Sequence, residues 1–218
     1  VYKRQYREKE NKDFLEIPPK KRSRISKKKF FSNSARYFKQ ANNLCVQITR
    51  KFKNYKRIGE VYYILGFNAK EANNSKLAIN YLKLASRKTN ESQTRVKTQI
   101  SLAEVYYNDK EYRKAIPLYE KALSKKTDKW WTKDSFNLAW CYFRENRFTS
   151  SINKMEEVFK YSASSKFIDM RAQVERDIGL FYATANKIDR GVQFYKKIGI
   201  NFTDQLLRIG LALLTQGK

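Results

Sequence analysis

Seven lysine and arginine side chains stand within twelve residues near the N-terminus, and no acidic residue lies among them. The stretch 18–29 reads PPKKRSRISKKK, and the chemistry available to such a run is electrostatic attraction of anions. Two consecutive prolines favour extended backbone, and like charges repel one another. We therefore expect residues 1–29 to be a basic, largely non-regular segment. The predicted anion-binding residues are Lys20, Lys21, Arg22, Arg24, Lys27, Lys28 and Lys29.

Three interpretations of the basic run stay open at this point. It can be a solvated tail that keeps the protein in solution, which is the common behaviour of charge runs. It can bind a polyanion such as phosphate-rich lipid head groups, lipopolysaccharide or the acidic face of a partner protein. Nucleic acid is a narrower possibility, because the aromatic residues sit at core spacing and do not alternate with the basic ones. The run also resembles a bipartite nuclear localisation signal, a pattern of low specificity.

Catalytic chemistry is disfavoured by the residues that the chain lacks. The sequence contains no histidine, which excludes Ser-His-Asp and Cys-His arrangements and histidine metal sites. Neither GxGxxG nor GxxxxGK[ST] occurs among its seven glycines. The adjacent carboxylates Glu156 and Glu157 point apart on a helix, and Cys141, beside Trp140 and Tyr142, is expected to be a packed, inert thiol. We predict a protein that is not an enzyme and that carries no cofactor or metal.

The elements that position these residues follow from a repeated pair of aliphatic residues, a large one before a small one. Five such pairs recur at spacings of 37, 36, 40 and 31 residues. A small residue beside a large one lets a second helix pack close, so each pair marks a crossing within a two-helix unit. The pairs are Leu65-Gly66, Leu102-Ala103, Leu138-Ala139, Ile178-Gly179 and Ile209-Gly210.

These residues resemble the tetratricopeptide repeat (TPR), whose first helix carries large apolar, Leu, small and Tyr residues and whose second carries Ala, aromatic and Ala. The repeat at about 96–129 has Leu102, Ala103 and Tyr106, followed by Ala115, Tyr119 and Ala122. Others depart from the pattern: the third has Ser151, Met155 and Val158 on its second helix, and the fourth has Gly191, Tyr195 and Ile198. The resemblance implies an all-α fold, a right-handed α-solenoid of antiparallel helix pairs.

Three regions follow from this assignment. Residues 1–29 form the basic segment, and 30–57 contain the leading helix of a preceding incomplete unit. That helix is expected to begin near Ser32 or Ser34 and to dock on Tyr62 and Leu65. The docking face is predicted to be Tyr37, Ala41, Leu44, Cys45 and Ile48. Residues 58–218 form the solenoid, about four repeats and one further helix, whose apolar side chains should lack a covering helix: Leu206, Leu207, Leu211, Leu213 and Leu214.

The TPR resemblance also implies a binding groove built from the first helices. The family's carboxylate clamp needs a basic residue at position five and Asn at position nine. Here those positions hold Tyr63/Phe67, Ile100/Glu104 and Phe136/Trp140, so that activity is not expected. An aromatic and basic groove suits an apolar helix or an extended segment of a partner, although the aromatics can equally thicken the core between repeats. We call these residues the predicted groove: Tyr63, Phe67, Lys70, Lys97, Tyr107, Lys133, Phe136, Trp140 and Phe143.

A narrower resemblance rests on LAWCYF at 138–143, EEVFKYS at 156–162, RAQVERDIGLFYA at 171–183 and FYKKIG at 194–199. This order is similar to TPR proteins of the deltaproteobacterial cell envelope, including those of predatory and gliding bacteria. It implies a periplasmic or outer-membrane-associated scaffold, in some relatives linked to motility. Protein partners, including envelope complex subunits, are expected, with the basic segment contacting an acidic partner or surface. The alternative is a nucleic-acid-associated, cytoplasmic adaptor.

Overall fold

The computed structural model describes residues 9, 10, 12–14, 16–18, 21, 32–199, 203, 204, 207, 210, 211 and 214. These residues contain helices, turns and loops and no β-strand, so this part of the chain is all-α as predicted. Two compact units divide the chain, Val1–Thr98 and Gln99–Lys218, with the boundary inside α4. The helices with full bounds are α1 (Ser32–Lys51), α2 (Ile58–Glu71), α3 (Ser75–Lys88), α4 (Ser92–Asn108), α5 (Tyr112–Ala122), α6 (Trp131–Arg144), α7 (Phe148–Ser162), α8 (Arg171–Thr184) and α9 (Ile188–Lys197).

In the first unit, α2 and α3 cross at the first large–small pair. Leu65 is buried, and Leu82 of α3 is fully buried. A Cβ added to Gly66 would lie 2.6 Å from Leu82 Cγ, closer than two carbon atoms pack, so the absent side chain is what admits Leu82. Gly59, the second residue of α2, lies against backbone after α3, because a Cβ added to it would lie 2.6 Å from Thr89 Cα.

Helix α1 packs on α2 through part of the predicted face. Cys45 is buried with Ile58, Val61 and Leu65, and Ile48 packs against this cluster, as expected. Leu44, however, is 61% exposed, so the prediction was wrong for this residue. Leu44 precedes the buried Cys45 by one position, and successive helical residues point about 100° apart around the helix axis. Tyr37 is 36% exposed, and its docking on α2 stays a prediction.

The second unit buries the repeated positions of its helix pairs. The large and small residues of α4, α6 and α8 are buried, and so are the residues matched to the second-helix positions except Ile198, which is half-buried. The crossings predicted from the sequence are thus the packing sites in this unit. Those buried positions are Leu102, Ala103, Tyr106, Ala115, Tyr119, Ala122, Leu138, Ala139, Tyr142, Ser151, Met155, Val158, Ile178, Tyr182, Gly191 and Tyr195.

The turn inside each helix pair repeats one backbone motif. Its left-handed residue stands eight positions after the large aliphatic residue: Asn73, Lys110, Asn146 and Asn186, with φ between 54° and 61°. In the first pair, Asn73 N–H donates to Lys70 O and the following N–H donates to Ala69 O, both at 2.9 Å. Such paired bonds form a Schellman motif, which satisfies the last carbonyls of the first helix. Asparagine tolerates this conformation better than lysine.

The ends of the chain contain helical residues within the described part. Residues 9, 10, 12–14 and 16 have helical backbone where a non-regular segment was expected, with Lys12 Nζ 4.0 Å from Glu16 Oε1 one turn on. Near the other end, Leu207, Leu211 and Leu214 are 64%, 53% and 72% exposed, which agrees with the prediction that these side chains are uncovered. Leu206 and Leu213 lie outside the described residues.

Candidate functional site

The predicted groove residues of the first unit lie along one face of α2. Tyr63, Phe67 and Lys70 are one turn apart and half-buried. The ring centroids of Tyr63 and Phe67 are 6.0 Å apart, and Lys70 Nζ lies 4.8 Å from the centroid of Phe67. The same ammonium is 3.5 Å from Glu71 Oε1. The result is a short strip of two rings and one cation on a single helix.

Lys97, the fourth predicted groove residue of the first unit, lies in α4 and is exposed. Glu60, in the first turn of α2, has its carboxylate engaged by Arg57. The Arg57 Nε and Nη2 atoms each donate to one carboxylate oxygen at 2.5 Å. Lys97 therefore presents its charge to solvent, whereas the carboxylate of Glu60 is paired with Arg57.

In the second unit, the charge of Lys133 is used within the fold. Its ammonium donates to Glu104 and, at 3.1 Å, to Asp134 Oδ1. Burial raises the pKa of Asp134 to about 6, and the charge of Lys133 opposes that rise. Lys133 is thus a structural cation shared by two acids.

Tyr107, another predicted groove residue, lies in the last turn of α4. Its ring packs edge-on against the ring of Tyr112, with centroids 5.9 Å apart.

The aromatic residues of α6 are partly built into the core. Phe136, Trp140 and Phe143 are half-buried and pack against the buried cluster of the second unit. The ring of Phe181 on α8 lies 4.9 Å from Trp140, edge-on, and 4.4 Å from Phe143, stacked. Arg144 lies over the outer face of Trp140, 5.4 Å from its centroid. These rings join two repeats, and only part of each remains for a ligand.

The basic segment is represented in the structure by a single predicted residue. Lys21 is exposed, and its N–H donates to Pro18 O at 2.9 Å. The remaining predicted anion-binding residues lie outside the described residues: Lys20, Arg22, Arg24, Lys27, Lys28 and Lys29. Anion binding by this segment stays a prediction.

The sequence interpretation missed a groove between the second helices α7 and α9. It has a volume of about 860 Å³. The only signal in the sequence was the spacing of Glu156 and Arg190, which are 34 residues apart, one TPR period. We name it the α7–α9 groove; its lining residues are Asn153, Glu156, Glu157, Phe159, Lys160, Tyr161, Arg190, Gln193, Phe194, Lys197 and Ile198.

The adjacent carboxylates Glu156 and Glu157 serve different partners, as their divergence on a helix predicted. Glu156 accepts hydrogen bonds from Arg190 and from the Tyr182 hydroxyl, at 2.8 Å and 2.7 Å. Burial, followed by the bond to Glu156, places the pKa of Tyr182 well above its ordinary value. Glu157 pairs with Lys154 at 2.6 Å and with Lys126 at 2.9 Å. Both carboxylates are therefore used in contacts within the fold.

Other chemistry in the described part of the chain is sparse. No group of three His, Cys, Asp or Glu residues there is placed to hold a metal ion. Both cysteines are buried, and burial raises the pKa of Cys141 to about 12, which agrees with the predicted inert thiol. Helices long and apolar enough to cross a bilayer are not found among the described residues.

Comparison with solved structures supports the fold and leaves the ligand undetermined. A solved structure of MamA from AMB-1 superimposes with a TM-score of 0.60 over 90% of this chain and 89% of that chain, at 16% sequence identity. No protein-family model and no curated protein sequence matches the chain. MamA is a TPR-like protein, and the chain has the same kind of fold, an all-α helical solenoid of the TPR type.

Proposed function

We propose that this chain is a non-enzymatic scaffold that binds other proteins through the first helices of its TPR-like pairs. The observation that supports the proposal is the strip of Tyr63, Phe67 and Lys70 on α2. Its two rings and its cation contact one another on one helix and leave half-buried faces for a partner. Aromatic and basic side chains on a TPR-like helix suit an apolar or mixed peptide segment better than a small molecule.

Selection of peptides from a random display library on the full chain tests this function. We expect enriched peptides whose affinity, measured by fluorescence anisotropy, falls about tenfold in Phe67→Ala/Lys70→Ala. The matched control is Asn80→Ala/Lys83→Ala, two exposed residues of α3. Failure to enrich any peptide, or enriched peptides that are insensitive to first-helix variants in both units, would overturn the proposal.

We further propose that the scaffold acts in a bacterial cell-envelope assembly, periplasmic or associated with the outer membrane. The support is the resemblance of 138–199 to envelope TPR proteins, some of them linked to motility. Cell fractionation with an antibody against the chain tests this location. Recovery with periplasmic and outer-membrane markers is expected, whereas recovery with cytoplasmic nucleic acid would favour the RNA- or DNA-associated adaptor.

The basic segment is proposed to contact an acidic protein or anionic surface. Seven cations without an acid support the proposal, since each cation near an anionic surface contributes on the order of 1 kcal/mol before salt screening. Replacing Lys20, Lys21, Arg22, Lys27, Lys28 and Lys29 by Ser should weaken binding to vesicles containing phosphatidylserine and flatten its salt dependence. Equal binding by the variant and the parent across a salt titration would identify the segment as a solubilising tail.

A further inference from the structure

The α7–α9 groove runs between two neighbouring second helices, on elements that the predicted groove does not use. Its walls follow helical spacing, with Asn153, Glu156 and Lys160 on α7 and Arg190 and Lys197 on α9. Its volume of about 860 Å³ lies within the range of known ligand-binding pockets. It therefore has room for one or two amino-acid side chains of a bound segment.

One end of this groove is lined by a charge network. The guanidinium of Arg190 donates to both carboxylate oxygens of Glu156, at 2.8 Å and 2.9 Å, and to Asn153 Oδ1 at 2.7 Å. Tyr182 donates to the same carboxylate. This bidentate, partly exposed ion pair holds the two helices together at this end and leaves little unpaired charge there for a ligand.

The other end combines an apolar floor with unpaired cations. Phe159 and Phe194 are half-buried and meet edge-on, with centroids 5.3 Å apart, and Ile198 extends the floor. Lys160 and Lys197 are exposed, and neither forms an ion pair with a residue in the described part of the chain. The Lys160 ammonium lies 6.0 Å from the centroid of the Tyr161 ring, which also lines the groove. The charges of this end are therefore available to carboxylates, and the floor to an apolar side chain.

We propose that the α7–α9 groove binds an acidic peptide segment, which places one apolar side chain over Phe159 and Phe194 and carboxylates against Lys160 and Lys197. Charge complementarity selects this occupant: the chain has a net charge of +26, so a second copy is repelled and an acidic partner is attracted. The inference rests on the proposed scaffold function and adds a second binding surface to it.

The test uses the same display selection on the full chain, followed by a charge-reversal variant. A class of enriched peptides with Asp or Glu flanking Phe, Leu or Trp is expected. Its dissociation constant should rise about tenfold in Lys160→Glu/Lys197→Glu and fall with decreasing salt. Lys160→Arg/Lys197→Arg should retain binding. The matched control is Lys121→Glu/Lys125→Glu, the same charge change at two exposed residues of the second unit.

The outcomes separate this inference from the scaffold function. Acidic peptides that bind the groove variant and the parent equally, while losing affinity in Phe67→Ala/Lys70→Ala, would overturn the α7–α9 site and leave the scaffold function standing. Enrichment of no peptide would overturn both. Association of the free chain that is abolished by Lys160→Glu/Lys197→Glu would overturn the acidic partner in favour of a second copy. Thermal unfolding of each variant checks that the second unit remains folded.

Discussion

The first helices α2 and α6 occupy the same place in their pairs but use their aromatic residues differently. On α2, Tyr63 and Phe67 contact each other and Lys70, all on one helix. On α6, Trp140 and Phe143 contact Phe181 of α8, so they connect two repeats. Equivalent positions in the sequence can therefore hold either a strip of rings on one helix or part of the core. The neighbour that the side chain meets decides between the two roles.

The two helices also differ in how their first turns treat an acidic residue. Glu60 in the first turn of α2 pairs with the largely exposed Arg57, and solvent screens both charges. Asp134 in the first turn of α6 is 6% exposed and shares Lys133 with Glu104. The second unit thus carries an ionised group in its interior, and its stability should depend on pH where that group titrates.

The largest expected effect is a difference in the free energy of unfolding between variants that lack the aromatic pair of α6 and variants that lack the pair of α2. Trp140→Ala/Phe143→Ala should lower the free energy of unfolding by about 3–5 kcal/mol, because both rings leave contacts with a neighbouring repeat. Tyr63→Ala/Phe67→Ala should lower it by about 1 kcal/mol, since the ring pair that is lost joins two residues of α2. Denaturant unfolding measures both values. Equal losses in the two variants would remove the distinction between α2 and α6.

A second prediction tests the buried acid. The folded pKa of Asp134, about 6, lies above the ordinary value of 3.8, so ionisation costs folding stability above pH 6, and that cost disappears as pH falls to about 4. Asp134→Asn should therefore be more stable than the parent at pH 7, by up to about 3 kcal/mol, and equal to it near pH 4. Thermal unfolding of the parent and of Asp134→Asn at pH 7 and at pH 4 measures this difference. A variant less stable than the parent at pH 7 would mean that the ion pair with Lys133 outweighs burial.

The smallest effect concerns the turns, which are alike after α2 and α6 but not after α4. Asn73 and Asn146 hold the left-handed position in the first two, and Lys110 holds it in the third. Lys110→Asn should stabilise the chain by about 0.5–1 kcal/mol, because asparagine pays less for a positive φ. Asn146→Lys should do the reverse. A Lys110→Asn variant that unfolds more readily would show that the lysine side chain contributes a contact.

Much of the fold could be predicted from the sequence because its signal is local and repeated. In Leu65-Gly66 and in Leu138-Ala139, the small residue lets a second helix approach and the large one fills the contact, so each pair specifies a helix crossing. The same pattern recurs in each repeat. The stripe on α1 was harder, since Leu44 and Cys45 are adjacent apolar residues and only packing decides which one faces α2. Asparagine also recurs eight positions after the large aliphatic residue, at Asn73, Asn146 and Asn186, and this spacing indicates where the turn inside each of these helix pairs lies.

The candidate sites were less predictable for a physical reason. A first-helix position identifies which face a side chain occupies, but the ring of Phe181 determines that Trp140 and Phe143 pack inward. The α7–α9 groove depends on pairing between residues about one repeat apart, as with Asn153 and Arg190 or Phe159 and Phe194. Neither residue of such a pair is unusual alone, so the groove emerges only when the helices are packed.

In-cell photo-crosslinking at Phe67 tests the central claim, protein binding by the strip on α2, most directly. The photoreactive residue p-benzoylphenylalanine would replace Phe67, Trp140 or the exposed Lys83 of α3 in separate full-length chains expressed in the source organism. We predict a discrete protein adduct from position 67, less from position 140 and background from position 83. Adducts at position 67 no stronger than those at position 83, with the chain folded and expressed, would contradict the account.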